Sequence, residues 1–335
     1  MNMPQIVAHR GASYLAPENT LSAFRKAIEI GADAVEMDVQ PTKDGELVIH
    51  HDYIIDLHTE ISGKIYDMVY EDLKELDFGK WKDAIYEGET IATLHQALEL
   101  CKNLYEGDIY LEMKAPVIKD ADFLPRVLEE IQQLELVDRI ILVAFNHELL
   151  RQAKEVLPQL RVGILTFGQV ESTVLPTWIW GALGLENGLE GVEGMPLASI
   201  EDENCRWVTR WVDDKVNMLW ANFPGENMKE VLGNVLEQRD PVEYVKTLPF
   251  TPEYVCCKYQ TAYPYPSMVK KLHEMGMKVG FWTVDTEEAV RDLLKLEPDI
   301  IISNRPDRVR EWADKMLAEQ QSEVQSAEVA EQSEE

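Results

Sequence analysis

The sequence predicts an α/β fold, a closed parallel barrel of eight strand-and-helix units, and three observations carry that prediction. Short strand-like apolar runs alternate with longer helical ones along the chain, which makes repeated strand–helix–strand units and a parallel sheet. The strand-like runs number eight, the count that closes such a sheet on itself. Charged and polar residues gather at the C-terminal ends of those runs, where barrels collect their functional groups. With 335 residues, 45% of them apolar, the chain can fill a core of this size.

Taken in order, the first strand is expected over Gln5 to His9, with His9 at its C-terminal end. Pro17-Glu18-Asn19-Thr20 supplies a capping sequence for a helix over Thr20 to Ile30, and Gly31 stops it. The second strand, Ala34 to Val39, carries Glu36 and Asp38 two residues apart, so both carboxylates leave one face. Lys43-Asp44-Gly45 suits a tight turn, and the returning arm, Glu46 to His51, brings His51 opposite Met37 to within one residue. An imidazole thereby returns to two carboxylates, a grouping fit for metal binding or proton transfer. Alone, this stretch reads more simply as a solvated edge hairpin. In a barrel the returning arm belongs to the loops above the second strand.

The remaining strands are expected over Ile109 to Lys114, Ile140 to Phe145, Val162 to Phe167, Tyr254 to Lys258, Val279 to Val284 and Ile300 to Ser303. Helices are expected over Leu94 to Leu104, Leu124 to Leu134, His147 to Val156, Ser267 to Met275, Glu287 to Leu296 and Val309 to Leu317. Glu112 and Lys114 end the third strand, Trp282 sits in the seventh, and Asn304-Arg305-Pro306 follows the eighth. One such ion pair would be surface decoration. Three acids, two histidines, an arginine and a lysine converging on one rim are not.

The formal charge of −29, from 32 basic and 61 acidic residues, argues against nucleic acid and anionic lipid as partners. The four cysteines, at 101, 205, 256 and 257, form no Cys-x-x-Cys pair, so neither a disulfide framework nor a zinc site is expected. The first apolar run, Ile6 to Ala8, is too short for a secretory signal, and no apolar stretch approaches the ~20 residues of a spanning helix. A protein of the reducing cytoplasm is expected. Residues 318–335 hold six glutamates and no basic or aromatic residue, the composition of a disordered acidic tail. Between the fifth and sixth strands, about 168–252 is far longer than a crossover needs and holds five of the eight tryptophans, at 178, 180, 207, 211 and 220. An inserted subdomain is expected there, its tryptophans filling its own small core or else lining a wall for an acyl chain or capping the active site as a lid; residues 1–317 are expected to form the barrel that carries it.

Several motifs together resemble the glycerophosphodiester phosphodiesterase family. They are His9-Arg10-Gly11, Pro17-Glu18-Asn19-Thr20 with Ala23-Phe24, Gly31-Ala32-Asp33 leading to Glu36-x-Asp38-Val39, Asp44-Gly45 leading to His51-Asp52, and Leu111-Glu112-Met113-Lys114. Trp282-Thr283-Val284 and Ile301-Ile302-Ser303-Asn304-Arg305-Pro306 are similar to its closing strands. The resemblance runs over about 4–167 and 254–312. It implies a TIM (β/α)8 barrel that hydrolyses small glycerophosphodiesters to glycerol 3-phosphate and an alcohol. By the same resemblance Glu36, Asp38 and Glu112 match metal ligands, His9 and His51 the general base and acid, and Arg10, Lys114 and Trp282 substrate contacts. Leu57-His58-Thr59 and Ala144-Phe145 depart from the family's usual runs, which leaves specificity open there.

The chemistry suits these residue types. A phosphodiester monoanion with a poor leaving group needs charge neutralised at phosphorus, a proton taken from the nucleophile and one given to the departing oxygen. Three carboxylates select a hard divalent cation, Mg²⁺ or Ca²⁺, over zinc. Two histidines dividing acid and base duty imply a bell-shaped rate against pH. His50, on the other face of its strand, and His58, His95, His147 and His273 are expected to pack or face solvent. A lysophospholipase D on the same site, with the insertion holding the lipid, is the alternative; a non-catalytic binding protein is disfavoured because all five acid and histidine positions are filled.

Overall fold

The computed structural model describes residues 2–167, 221–223, 230, 234 and 237–319. Most of the expected insertion, all five of its tryptophans and nearly all of the acidic tail lie outside the described residues.

Parallel pairing runs around a ring. β1 (Gln5–Ala8) pairs with β2 (Ala34–Pro41) on one side and β10 (Ile300–Ser303) on the other. The circuit continues from β2 through β5 (Asp108–Met113), β6 (Ile140–Ala144), β7 (Arg161–Thr166), β8 (Tyr254–Lys258) and β9 (Lys278–Trp282) to β10. These are the eight expected runs, most displaced by a residue or two at their ends. Inside them the two-residue period divides each strand. Val35, Met37 and Val39 join the main core beneath the helices, as do Ile109, Leu111 and Met113, while Glu36, Tyr110 and Glu112 line the cavity at the barrel mouth.

Helices pack on the outside of the ring. α1 (Leu21–Glu29) starts at Thr20, whose side chain accepts from the Ala23 amide, and is followed by Gly31 at φ 74°. α2 (Tyr70–Leu73) is a single turn, and α3 (Leu94–Leu104) opens with a capping box between Thr93 and Gln96. α4 (Phe123–Gln133), α5 (His147–Val156), α6 (Pro241–Val245), α7 (Met268–Glu274), α8 (Glu287–Leu294) and a closing helix over 306–319 follow. Phe24, Phe123 and Phe281 are fully buried between helices and strands, each contributing about 1.5–3 kcal/mol of apolar burial.

The hairpin forms as counted. β2 pairs antiparallel with β3 (Leu47–Ile49) in the register Val39 to Ile49 and Pro41 to Leu47, and extending it by two residues sets His51 level with Met37. Gly45 at φ 86° makes the turn. The returning strand is shorter than the expected Glu46 to His51, and on its other edge it pairs with β4 (Ala92–Thr93). Between β3 and β4 the chain builds a lobe with its own small core of Ile55, Ile65, Leu73, Phe78 and Ile91 against Val48. Sequence periodicity gave no sign of that lobe, since its elements are single turns too short to show a period.

Candidate active site

Adjacent parallel strands place the acids. Asp38 on β2 is the cross-strand partner of Glu112 on β5, and Glu36 lies two residues earlier on the same face. One oxygen from each of Glu36, Asp38 and Glu112 falls within 4.8 Å of the others. All three residues are buried, at 4%, 1% and 8% exposure, so their repulsion is poorly screened. Burial, then Asp38 and Glu112, push the Glu36 carboxyl well above the usual range, and burial raises Glu112 as well. Asp38 goes the other way: burial works against its charge, but Lys114, His51, Arg10 and the Asn19 hydrogen bond hold its carboxyl low.

Lys114 Nζ, buried beside this trio, donates to Glu112 Oε1 at 2.5 Å and lies 3.3 Å from Asp38 Oδ1. That Asp38 oxygen receives no hydrogen bond although it is buried. A crowded, all-oxygen donor set with an oxygen lacking a donor fits a hard divalent cation.

Arg10 follows β1 in a left-handed conformation, φ 55°, with Gly11 at φ 77°. A Cβ at Gly11 would sit 2.6 Å from the backbone of Ala23, so only glycine lets α1 approach this turn. The turn aims the Arg10 amide at Glu36 Oε2, 2.7 Å away, and the guanidinium at Glu18 Oε1, also 2.7 Å away, with Nε 3.5 Å from Asp38 Oδ2. Burial would raise Glu18, but Arg10, with His58 and His51, pulls its carboxyl down to about 2.

His9 and His51 line the same cavity as Arg10, Glu36 and Glu112. His9 Nδ1 meets Asn304 Oδ1 at 2.7 Å, and His51 Nδ1 meets Asp52 Oδ1 at 2.9 Å, so each ring keeps Nε2 for the cavity. Both rings retain some solvent contact, yet the dense surroundings dominate. Burial and Arg10 lower His9 to about 4, and burial, Arg10 and Lys114 lower His51 to about 3. The opposite wall is apolar. Val143, Phe145, Leu165, Trp282 and Ile302 line it, with Phe145 stacked on Phe167 at 4.7 Å and Trp282 edge-on to both. The Trp282 indole N–H is spent on Cys256 O, so the ring offers this wall a hydrocarbon surface.

All eight residues singled out from the sequence thus meet at one mouth. Three further residues hold them there: Asn19, which bonds Asp38 twice, Glu18, which orients Arg10, and Asn304, which faces His9. Glu18 and Asn19 lay in a motif that reads equally as a helix cap, which hid their second use. Among the other histidines, His50 and His58 pack together, with Nε2 of His50 3.2 Å from Nδ1 of His58. His58 reaches Glu18 at 3.8 Å. His147 is buried, and His95 and His273 pair with Glu130 and Asp299.

The chain matches the sequence model of the glycerophosphoryl diester phosphodiesterase family over residues 9–181 and 227–308. It is 37% identical over 164 residues to a glycerophosphodiester phosphodiesterase of Caldanaerobacter subterraneus, covering 48% of this chain and 65% of that relative. A glycerophosphodiester phosphodiesterase of Bacillus altitudinis is 34% identical over 167 residues, 49% of this chain and 67% of its own. The alignments therefore span about two thirds of these relatives. In fold, the chain is similar to an Oleispira antarctica phosphodiesterase solved with the product sn-glycerol-3-phosphate, at a TM-score of 0.63 and 24% identity, covering 93% of this chain and 97% of that one. Among the described residues, no helix is long and apolar enough to cross a membrane.

Proposed function

We propose, from the premise that this chain belongs to the glycerophosphoryl diester phosphodiesterase family, that it hydrolyses small glycerophosphodiesters to glycerol 3-phosphate and an alcohol. The observation that carries the reading is the meeting of Glu36, Asp38 and Glu112 within 4.8 Å in a cavity that His9, His51 and Arg10 also line. Glu36, Asp38 and Glu112 would hold a divalent cation, Mg²⁺ or Ca²⁺. When bound, such a cation supplies positive charge against a non-bridging phosphate oxygen.

The chain's own groups do the rest. Arg10 and Lys114 add positive charge where the phosphodiester sits, Arg10 being fixed in direction by Glu18. His9, whose Nδ1 faces a neutral amide oxygen, takes on Nε2 the proton of the attacking oxygen, either that of water or that of the substrate's own neighbouring hydroxyl. In the second case water then opens the cyclic phosphate to glycerol 3-phosphate. His51, whose Nδ1 faces the Asp52 carboxylate, is supported as an imidazolium and gives its proton to the departing alkoxide. Burial, with Arg10 at both rings and Lys114 at His51, keeps these rings neutral in the free protein, and the negative charge of the phosphodiester works against that and favours the protonated ring. The apolar wall takes the uncharged side of the substrate. That wall, with Phe145 and Trp282 in it, also favours a second reading, a lysophospholipase D activity in which an acyl chain lies against it.

The test is release of glycerol 3-phosphate from glycerophosphocholine, with and without EDTA and with Mg²⁺ or Ca²⁺ restored. Activity lost to EDTA and regained with either ion is the expected result. Full activity after exhaustive chelation would remove the cation from the reading, and no release from any glycerophosphodiester would remove the reading itself.

A further inference from the structure

Asp285 lies outside the cavity, in the turn after β9, and no sequence motif singled it out. Its carboxylate collects three donors from the last residue of β10 and the turn after it. Oδ1 accepts from Ser303 Oγ at 2.8 Å and from the Asn304 amide at 2.9 Å, and Oδ2 accepts from Asn304 Nδ2 at 2.6 Å. A carboxylate accepts and does not donate, so the end of the Asn304 side chain facing Asp285 must be the NH₂ group. The other end, Oδ1, therefore points at His9 Nδ1, 2.7 Å away, and it also accepts from Ser13 Oγ at 2.8 Å. An amide oxygen only accepts. In the neutral ring the proton must then sit on His9 Nδ1, which leaves Nε2 bare toward the cavity.

We infer that Asp285 is a positioning residue for the proposed reaction: it fixes the Asn304 amide, and through it the His9 tautomer that a proton acceptor needs. The inference rests on the functional reading above, in which His9 is the base, and deepens it by naming the residue that holds that ring in its proton-accepting tautomer. A structural role alone, pinning the turn after β10 to the turn after β9, would use the same hydrogen bonds but would not make turnover depend on the His9 tautomer.

The two roles separate experimentally. In D285N the side chain at that position carries a donor as well as an acceptor, so the Asn304 amide is free to turn its NH₂ toward His9 and move the ring proton to Nε2. The expected result is a kcat at least ~10-fold lower with KM within about 3-fold of wild type, and a long-range proton–nitrogen-15 spectrum in which the His9 ring changes tautomer. The double variant D285N/N304D exchanges the pair: the introduced amide donates to one oxygen of the introduced carboxylate, and the other oxygen accepts from His9 Nδ1. It is expected to return kcat to within about 3-fold of wild type and to restore the Nδ1–H tautomer. Should D285N not fold, N304A removes the His9 acceptor while the Asp285 bonds to Ser303 and to the backbone at 304 persist, and it is expected to lose kcat by the same factor. An unchanged kcat in a folded D285N or N304A, an unchanged His9 tautomer in D285N, or a folded double variant that stays impaired each overturns the inference. A wild type that releases no glycerol 3-phosphate, while D285N still changes the His9 tautomer, overturns the functional reading instead.

Discussion

Replacing Asn19 tests whether the acidic trio depends on residues that a helix-capping motif conceals. Asn19 is 3% exposed and sits at φ 58°. Its Nδ2 donates to Asp38 Oδ2 at 2.7 Å, and its Oδ1 accepts from the Asp38 amide at 3.2 Å. Alanine removes both bonds. The one to a charged oxygen is worth about 1.5–3 kcal/mol, and an amide left buried without a partner costs about 1–3 kcal/mol. Asp38 Oδ2 keeps Arg10 Nε at 3.5 Å, so the lower half of those ranges applies, about 3 kcal/mol together. Alanine in a left-handed conformation adds about 1 kcal/mol, for a total near 4 kcal/mol. Asn19→Gly loses the same bonds without the backbone strain and should be about 1 kcal/mol more stable than Asn19→Ala. Urea unfolding of the three proteins measures these differences. With Asp38 no longer held, the Mg²⁺ or Ca²⁺ concentration for half-maximal activity should rise about 10- to 100-fold in both variants. Two variants of equal stability would refute the strain argument, and variants within about 1 kcal/mol of wild type at unchanged cation dependence would refute the role of Asn19 altogether.

Other consequences are as specific. His51→Ala should lose at least ~10²-fold in turnover with an unchanged unfolding transition; near-normal turnover in that variant removes His51 from the chemistry. His147 Nδ1 meets Tyr244 Oη at 2.7 Å and its Nε2 meets Leu165 O at 3.0 Å, and burial lowers the ring from 6.5 to about 4. Its folded value is below its unfolded one, so its stabilisation is complete above pH 6.5 and is lost as pH falls to about 4, by about 3 kcal/mol. The stability gap between wild type and His147→Gln, from urea curves at pH 7 and pH 4, should shrink by that amount, and a gap independent of pH sinks the assignment. Removing most of residues 168–252 should reduce turnover of a lysophospholipid more than of glycerophosphocholine, if the insertion selects lipid substrates; equal losses would deny it that role.

Much of the site was legible because its geometry is local or periodic. Glu36 and Asp38 share a face by the period of a strand, and an Asp-Gly turn of known length returns His51 to their level. His9 and Glu112 could be assigned to strand ends from apolar runs alone. Asn19 and Asn304 were written in the chain as plainly, but nothing in their spacing reveals a partner 19 or 295 positions away.

The amino-acid order by itself determined the barrel, since eight alternating apolar runs admit few other ways to cover both faces of a parallel sheet, and it determined which acids and histidines stand at the strand ends. Only the tertiary structure decided how those groups are charged and aimed. Burial raises Glu36 and Glu112, Lys114 and Arg10 hold Asp38 low, and Asn304 and Asp52 choose the nitrogen that each catalytic candidate turns to the cavity. Those properties depend on distance and dielectric rather than residue type, and both come into being only when segments far apart along the chain are packed together.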